Sequence, residues 1–460
     1  MTIVSNGQVF VVSGGIAVGL IVEKGGSVIA RTGGITSGAV LSGGDEYVSS
    51  GSQALSTSVH SGGALFISSG GLASAAKVGT DAAETVSSGG SDVYAVVLGG
   101  TQNLDGGTAS NTTLKQYAIQ NVISGIASAT RISNGSEQNL SAGGESIDAR
   151  VSGGGFQYVS SGAESISATI LDNGLEVVLS GGTAERSIVR GGTASLGISS
   201  GGVDFKSTID AGFEGVLDGG KSYETQVKAG AEQNIFSGGI ASAAILFGGQ
   251  IVSSGGLAIS TQVSSGGAEA VFGGVARGTE IEGGSMLVAD GTAINPLFDK
   301  NPGGSLTLDS GSVVSGSITF AINAATLSIE SKIMPTAVIS GFAPTDIINL
   351  AAVRYSNTDT VSTTGNEASL ITPTGTYILD IAGASNDTFE VLKASTGTNL
   401  EVTNTGAPTL AGLRWQAMIS PEDRASLNPG PFVMSAIIHG AASIIPETSV
   451  PPSMMILNHE

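Results

Sequence analysis

Two short segments of the chain have the residue spacing of known nucleotide-binding or catalytic motifs. Residues 215–222, GVLDGGKS, match the phosphate-loop pattern, and residues 197–201, GISSG, match the spacing of a nucleophile elbow. Both motifs need a strand that turns directly into a helix, which aims backbone N–H groups or a reactive hydroxyl at the substrate. No helical pattern follows either segment, and Gly219 and Gly220 fit an ordinary turn. We therefore predict that neither segment is a functional site.

Acid–base and metal chemistry have no better support in the sequence. His60, His439 and His459 lack the spacing of metal ligands, and the chain contains no cysteine. The carboxylate pair Asp45 and Glu46 does not recur beside a basic residue in successive units. The sequence thus predicts no catalytic residue, no cofactor-binding residue and no metal site, and a protein that is not an enzyme.

The composition restricts both the core and the partners. Of 460 residues, 71 are glycine, 12% are charged and 40% are hydrophobic, so the core must consist of many small side chains rather than large ones. The net charge of −20 argues against a nucleic-acid partner, because phosphate binding needs clustered Lys and Arg. No apolar stretch is long enough for a membrane span, and the segment MTIVSNGQVFVVSGG lacks the features of a signal peptide.

Two interleaved series of glycines divide the chain into units. The first series recurs every 17 to 20 residues at Gly14, Gly33, Gly51, Gly70, Gly89, Gly106, Gly125, Gly143, Gly162, Gly181, Gly201, Gly219, Gly238, Gly255, Gly273 and Gly291. The second series is Gly7, Gly25, Gly43, Gly62, Gly79, Gly99, Gly135, Gly153, Gly174, Gly191, Gly212, Gly230, Gly248, Gly266 and Gly283. A fixed period of this length is the signature of a repeat architecture.

The residues between the glycines have strand chemistry and a fixed phase. A branched apolar residue precedes most second-series glycines, at Val22, Val59, Ile132, Val151, Leu171, Val189, Ile209, Val227, Val263 and Ile281. An alanine follows many first-series glycines, at Ala17, Ala73, Ala109, Ala184, Ala241, Ala258 and Ala276. Glycine at this frequency excludes helices. We predict an all-β fold, a parallel β-helix or β-solenoid of about sixteen turns of roughly 18–19 residues, in which small apolar side chains stack like on like.

Three further segments depart from this pattern. In residues 108–124 the mid-unit glycine is missing near Lys115, Gln116 and Tyr117, which predicts a bulged or protruding turn. We assign residues 1–292 to the solenoid and residues 293–403 to an irregular β-region that caps it. Residues 404–460 form a proline-containing tail in which SPEDRASL, starting at Ser420, predicts a short helix.

The units GGLASAAKV, GGIASAAIL, SGGLAISTQVSSGG and SGGALFISSGG resemble the repeat of AIDA-type self-associating autotransporter adhesins. The resemblance covers roughly residues 4–292. It implies a β-helical passenger, cell–cell adhesion, biofilm formation and glycosylation of serine or threonine. The start MTIVSNGQ and the segment ISGFAPTDIINLAAVRYSNTDTV are similar to repeat proteins of alphaproteobacteria that often precede Hint domains, although without cysteine we expect no self-processing.

Three classes of function remain open on the sequence. The first is a non-enzymatic structural protein that mediates adhesion or self-association, located at the cell surface or outside the cell by a route that needs no N-terminal signal peptide. Its partners would be other copies of itself, and a cell surface or polysaccharide. The second is a filament or scaffold inside the cell or periplasm that assembles head to tail through open strand edges. The third is a carbohydrate-active β-helix enzyme. Such enzymes carry long irregular turns, whereas the turns of this sequence are short and repetitive.

Overall fold

The computed structural model describes residues 2–405 and confirms an all-β parallel solenoid. It has about 18 turns rather than the predicted sixteen. Stacked at about 4.8 Å per turn, these coils make a solenoid roughly 85 Å long.

The coils visit three parallel sheets in the same order, except that the last two form strands only in sheets A and B. One coil runs from Ile21–Glu23 in sheet A to Ser27–Arg31 in sheet B and Ile35–Ser37 in sheet C, and the chain then returns to sheet A at Val40–Ser42. Within the three sheets, each strand of one coil pairs in parallel with the equivalent strand of the next coil. The register is constant. Val22 lies against Leu41, and the equivalent residues of the other coils lie against each other in the same way.

The strands of sheet A are Ile3–Val4, Ile21–Glu23, Val40–Ser42, Ser58–His60, Lys77–Val78, Val96–Leu98, Thr113–Lys115, Arg131–Ile132, Arg150–Val151, Thr169–Leu171, Ile188–Arg190, Thr208–Ile209, Gln226–Val227, Ile245–Leu246, Gln262–Ser264, Glu280–Glu282, Leu297–Phe298, Ser317–Phe320 and Val338–Ser340. The parallel strands of sheet B are Val9–Ser13, Ser27–Arg31, Asp45–Val48, Ala64–Ile67, Ala83–Ser87, Thr101–Asp105, Ile119–Ile123, Glu137–Ser141, Phe156–Val159, Leu175–Val178, Ser195–Ile198, Gly212–Val216, Ala231–Ile235, Gly249–Ser253, Ala268–Phe272, Ser285–Ala289, Ser305–Leu308, Thr326–Ile329 and Ile347–Leu350. The strands of sheet C are Ile16–Val18, Ile35–Ser37, Gln53–Leu55, Leu72–Ser74, Ser91–Val93, Thr108–Ser110, Ile126–Ser128, Glu145–Ile147, Glu164–Ile166, Thr183–Glu185, Val203–Phe205, Lys221–Tyr223, Ile240–Ser242, Leu257–Ile259, Val275–Arg277, Thr292–Ile294 and Val313–Ser315.

The interior contains the predicted stacks of like residues. Sheet A contributes one inward column of fully buried residues, namely Val4, Val22, Leu41, Val59, Val78, Val97, Leu114, Ile132, Val151, Ile170, Val189, Ile209, Val227, Leu246, Val263, Ile281 and Phe298. Leu171 was predicted in this column, but Ile170 occupies it and Leu171 is half-buried. The predicted alanines line sheet C and are buried, except for the half-buried Ala17.

The paired glycines at the corners before and after sheet B meet two separate demands. The first glycine of a pair has a positive φ, as at Gly143 with φ +85° and no atom within 4 Å of an added Cβ. The second glycine passes close to the coil below: a Cβ on Gly144 would lie 2.1 Å from the carbonyl oxygen of Val122. The second glycine is therefore required by the close approach of two backbones.

A third corner, between sheets C and A, was missed in the sequence because it seldom contains glycine. One residue there adopts a left-handed conformation in each coil, with φ of 58° at Ala75, 54° at Ala129 and 57° at Ala243. Its N–H donates to a carbonyl of the next coil, for example from Ala129 to Ile147 at 2.8 Å. This hydrogen bond offsets the backbone strain of a residue that has a Cβ.

The irregular unit at residues 108–124 does not bulge. Its strands pair in register with those of the coils on either side. Gln116 and Tyr117 both take positive φ values at the corner where glycine is missing. The Tyr117 side chain is 79% exposed, and its ring lies over Gly135 of the next coil, which has no side chain to obstruct it. The prediction of a bulge was wrong, since the corner keeps its path without glycine.

Parallel stacking continues past residue 292 as far as Ile347–Leu350, although the double glycines become rare there. The larger side chains of Phe298, Phe320 and Phe342 pack against one another in this part, with ring centroids 4.7 and 5.4 Å apart, the first pair tilted and the second edge to face. These rings fill the space that valines and alanines fill in earlier coils.

Antiparallel strands close this end of the solenoid. Thr398–Thr405 pairs with Ile347–Leu350 and with Asp387–Lys393, which covers the last parallel edge of sheet B. A separate sheet is formed by Thr360–Thr364, Glu367–Thr372 and Gly375–Asp380, followed by the 3₁₀ turn Ala384–Asn386. A β-region thus caps the solenoid, as the sequence predicted, and the structure shows that its strands are antiparallel.

The helix predicted at Ser420 lies outside the described residues. Within residues 2–405, no helix has the length and apolarity to cross a membrane.

Candidate functional site

The residues of the apparent motifs lie in strands and corners of the solenoid. In the phosphate-loop match, Gly215 belongs to the strand Gly212–Val216, Gly219–Gly220 form a corner, and Ser222 points into the interior. Ser222 Oγ hydrogen-bonds with Thr225 Oγ1 there at 2.8 Å. A buried hydroxyl in a strand cannot take the part that the motif requires at the start of a helix.

The carboxylate pair of the sequence is divided between the two surfaces of sheet B. Asp45 faces outward and Glu46 faces inward, where it is fully buried. The Glu46 carboxyl accepts hydrogen bonds from the hydroxyls of Thr36 and Thr57, the latter at 2.8 Å. His60 is exposed at the end of its strand, and His439 and His459 lie outside the described residues. Among residues 2–405 no group of three or more His, Asp or Glu could hold a metal ion.

The interior contains a feature that the sequence analysis missed, a column of inward-facing polar side chains at equivalent positions of the sheet B strands. We call it the polar ladder; its rungs are Glu84, Gln102, Gln120, Gln138, Gln157, Glu176, Leu196, Glu214, Gln233, Gln250 and Glu269, with Leu196 as the single apolar rung. All of the polar rungs are at most 1% exposed.

Side-chain amides connect consecutive rungs. Gln102 Nε2 donates to Glu84 Oε2 at 2.8 Å, Gln138 Nε2 to Gln120 Oε1 at 2.6 Å, and Gln157 Nε2 to Gln138 Oε1 at 2.7 Å. Each of these side-chain hydrogen bonds joins one coil to the next, because consecutive rungs are neighbours in the parallel sheet. The ladder therefore repeats on the side chains the hydrogen-bond pattern of the backbone.

Hydroxyl groups from the other two sheets complete the polar interior. Ser146 Oγ donates to Gln138 Oε1 at 3.0 Å, and Thr279 Oγ1 donates to Glu269 Oε2 at 2.8 Å. Asp92 from sheet C accepts from Gln102 Nε2 at 2.9 Å. Amides and hydroxyls, rather than cations, surround the buried acids.

Burial raises the pKa of seven carboxyls inside the coils. The pKa of Glu269 is raised to about 7 by burial, against the hydrogen bonds of Thr279 and Thr261. The pKa of Asp92 is also raised to about 7 by burial. Burial, and next the charge of Asp92, raise the pKa of Glu84 well above its usual range. Burial is also the main cause of the raised pKa values of four more carboxyls, those of Glu46, Glu176, Asp204 and Glu214.

The outer surface carries columns of its own. On sheet B, Asn121 Nδ2 donates to Asn103 Oδ1 at 2.9 Å, and Asn139 Nδ2 to Asn121 Oδ1 at 3.2 Å. Tyr47 and Phe66 stack in neighbouring coils with ring centroids 5.0 Å apart. Such ladders arise wherever equal residues occupy equal positions in adjacent coils.

Charge is distributed unequally between sheets A and C in the same coils. Arg131 and Arg150 lie directly opposite each other on the outer face of sheet A, and no ion pair joins either to an acid among the described residues. Glu145 and Glu164 lie directly opposite each other on the outer face of sheet C. Burial and then the charges of Glu185 and Glu145 raise the pKa of Glu164. Like charges opposite each other in a sheet are unfavourable.

No protein-family model and no curated protein sequence matches the chain. A solved structure, described as the TibC-catalyzed hyper-glycosylated TibA55-350 fragment, is similar to it with 33% sequence identity and a TM-score of 0.52. The similarity covers 53% of this chain and 92% of that fragment. TibA is an AIDA-like autotransporter adhesin, and the fragment comes from its passenger. The chain belongs to the AIDA-like repeat family.

This membership agrees with the repeat type recognised in the sequence and with the fold. The similar AIDA-like protein is an adhesin passenger and not an enzyme. The resemblance to proteins that precede Hint domains stays a prediction. The polar ladder had a signal in the sequence, since the pair Gln-Asn recurs at residues 102–103, 120–121, 138–139 and 233–234.

Proposed function

We propose that this protein is a non-enzymatic adhesin-like scaffold at the cell surface, whose solenoid associates laterally with other copies of itself in cell–cell cohesion or biofilm. The similarity to the TibA adhesin fragment supports this. So does the regularity of the outer faces: the corners between strands are short in coil after coil, and many equal contacts can form side by side.

The two like-charge pairs support a particular contact. Arg131 and Arg150 place two cations on the outer face of sheet A, with Asp148 beside them, while Glu145 and Glu164 place two acids on sheet C at the same level of the solenoid. Each pair repels itself within one molecule, and each would be neutralised by the other pair on a second molecule. We propose that sheet A of one copy docks on sheet C of the next, a heterologous contact that can continue from copy to copy.

Charge reversal tests this contact. We expect Arg131→Glu/Arg150→Glu and Glu145→Lys/Glu164→Lys each to weaken association in sedimentation velocity and in aggregation of cells that display the chain. Mixing the two variants should restore association, because each then presents a face complementary to the other. Arg354→Glu/Lys393→Glu, which alters two exposed cations in the cap, is the matched control. Association that none of the variants changes would contradict the proposed contact, and a wild-type chain that stays monomeric at low ionic strength would contradict self-association itself.

A head-to-tail filament is the second candidate, because one observation favours it. The coil at residues 3–18 exposes the apolar side chains of Val9, Val11, Ile16 and Val18 at 44–70%. Exposed apolar side chains grouped in one place favour contact with another protein surface. If this end mediates assembly, Ile16→Lys/Val18→Lys should abolish fibres seen by negative-stain electron microscopy, while the charge-reversal variants should leave them intact.

A further inference from the structure

The interior carboxyls have no role in the proposed contact, since none reaches the surface. Glu46, Glu84, Asp92, Glu176, Asp204, Glu214 and Glu269 are all at most 1% exposed. A closed interior of this kind excludes the water that would stabilise a carboxylate, and a buried charge without a counter-ion is among the most costly groups in a protein.

The groups that surround these acids offer no positive charge. Glu269 lies between Gln250 and Met286 of the adjacent coils and faces Thr261 and Thr279 across the interior. Glu46 lies between Val28 and Leu65 and faces Thr36 and Thr57. No titratable group is among these neighbours.

The remaining acids face one another. Glu84 and Asp92 share Gln102 Nε2 as donor, at 2.8 and 2.9 Å, and the titratable group that each faces is the other. Asp204 faces Glu214 and Glu176, and its other partners are the hydroxyls of Ser207 and Thr225. Two carboxylates that face each other without a cation cannot both keep their charge cheaply.

One oxygen of most of these carboxyls has no hydrogen-bond partner among residues 2–405. These oxygens are Glu84 Oε1, Asp92 Oδ1, Glu176 Oε1, Glu214 Oε1 and Glu269 Oε1. An ionised carboxyl can only accept hydrogen bonds, whereas a protonated one also donates. A proton on the carboxyl removes the buried charge and halves the demand for donors, which the interior does not supply.

We propose that the solenoid folds with its interior carboxyls protonated, so that folding takes up protons from solution and acid stabilises the fold. A carboxyl that holds its proton more tightly in the folded chain loses it first in the unfolded chain. Its stabilising effect is complete below about pH 4, where both states are protonated, and is lost as the pH rises towards the value at which the folded carboxyl ionises. For Asp92 and Glu269 that value is about 7.

The expected effect is large enough to measure. When the pH rises from 5 to 7, each of these two carboxyls raises the equilibrium constant for unfolding by roughly fortyfold, and the two together raise it by roughly 1,600-fold. The surface charge also favours acid, because the net charge is −20 at pH 7. The test must therefore separate interior from surface acids.

Isosteric amides make this separation. Urea unfolding followed by circular dichroism gives the unfolding equilibrium constant at pH 5 and at pH 7. We expect the ratio of these two constants to be roughly fortyfold smaller in Glu269→Gln, and again in Asp92→Asn, than in the wild type. Asp45→Asn, on the outer side of sheet B beside Glu46, should leave the pH dependence nearly as in the wild type. If both interior variants keep the full wild-type pH dependence, the proposal is wrong.

A second measurement needs no variant. Refolding of the wild-type chain from urea in weakly buffered solution at pH 6 should consume about two or more protons per chain, reported by an indicator dye. Refolding that consumes none would overturn the proposal even if the amide variants failed to fold. Neither experiment depends on self-association, so either can fail while the proposed function stands.

Discussion

Replacement of the two glycines of one corner by alanine should have very different effects. At Gly143 an added Cβ meets open space, and the only cost is the positive φ of 85°. At Gly144 the Cβ would lie 2.1 Å from the carbonyl oxygen and 2.8 Å from the carbonyl carbon of Val122 in the coil below. The backbone cannot withdraw there, because Glu145 N–H donates to Gly125 O at 2.9 Å immediately beyond the corner.

The magnitudes follow from these distances. A residue with a Cβ in the left-handed region costs about 1 kcal/mol, so Gly143→Ala should lower the free energy of unfolding by about that amount. In Gly144→Ala, the overlap of the new Cβ with the Val122 carbonyl costs about 1–3 kcal/mol. It also weakens at least one backbone hydrogen bond between coils, worth about 1 kcal/mol, so the free energy of unfolding should fall by about 2–4 kcal/mol.

Urea unfolding followed by circular dichroism measures both variants. Since the two positions are adjacent in one corner, any departure from two-state unfolding affects them alike. Equal losses at Gly143 and Gly144 would refute the reasoning that close backbone approach, rather than positive φ, is the stricter demand at these corners. A larger loss of unfolding free energy at Gly143 than at Gly144 would mean that the positive φ is the stricter demand.

Three further changes test other parts of the interior and corners by the same unfolding assay. Ala129→Gly at the corner between sheets C and A should be neutral or stabilise by up to about 1 kcal/mol, because it relieves a positive φ of 54°; a clear loss would contradict this. Ile170→Val in the sheet A column should cost about 1 kcal/mol, whereas a cost near zero would mean that the column is loosely packed. Gln138→Leu should cost about 1–3 kcal/mol by removing the partners of Gln120 and Gln157, and a neutral result would mean that the ladder contributes no stability.

The coil path could be predicted from sequence where glycine marks it. The double glycines at the corners next to sheet B recur because two constraints coincide there, and residues such as Gly143 and Gly144 cannot be replaced without a cost. The third corner has one constraint, a positive φ that many residues tolerate. Ala75 and Ala243 occupy it as well as Gly38 does, so no residue type marks it in the sequence.

The polar ladder was missed for a different reason. Gln120 and Asn121 are neighbours in sequence, but one faces the interior and the other the surface. Polar residues at two adjacent positions of a strand hide the alternation that normally distinguishes inside from outside. The repeated Gln-Asn pair could have been found, but which of the two amides faces inward depends on the register of the coil. That register was clear only from the apolar residue that follows two positions later, such as Val122.

The ladder is not required to build the coil. Leu196 occupies one rung and Leu65 the equivalent position near the start, both are fully buried, and the backbone of their coils pairs in the same register as every other. Buried polar groups replaced by well-packed apolar ones often leave a protein as stable or more so. Leucine at every rung would therefore give a solenoid of the same architecture. What leucine cannot supply is a group that gains or loses a proton, so the acidic rungs Glu84, Glu176 and Glu269 give the solenoid a pH-dependent stability that leucine could not.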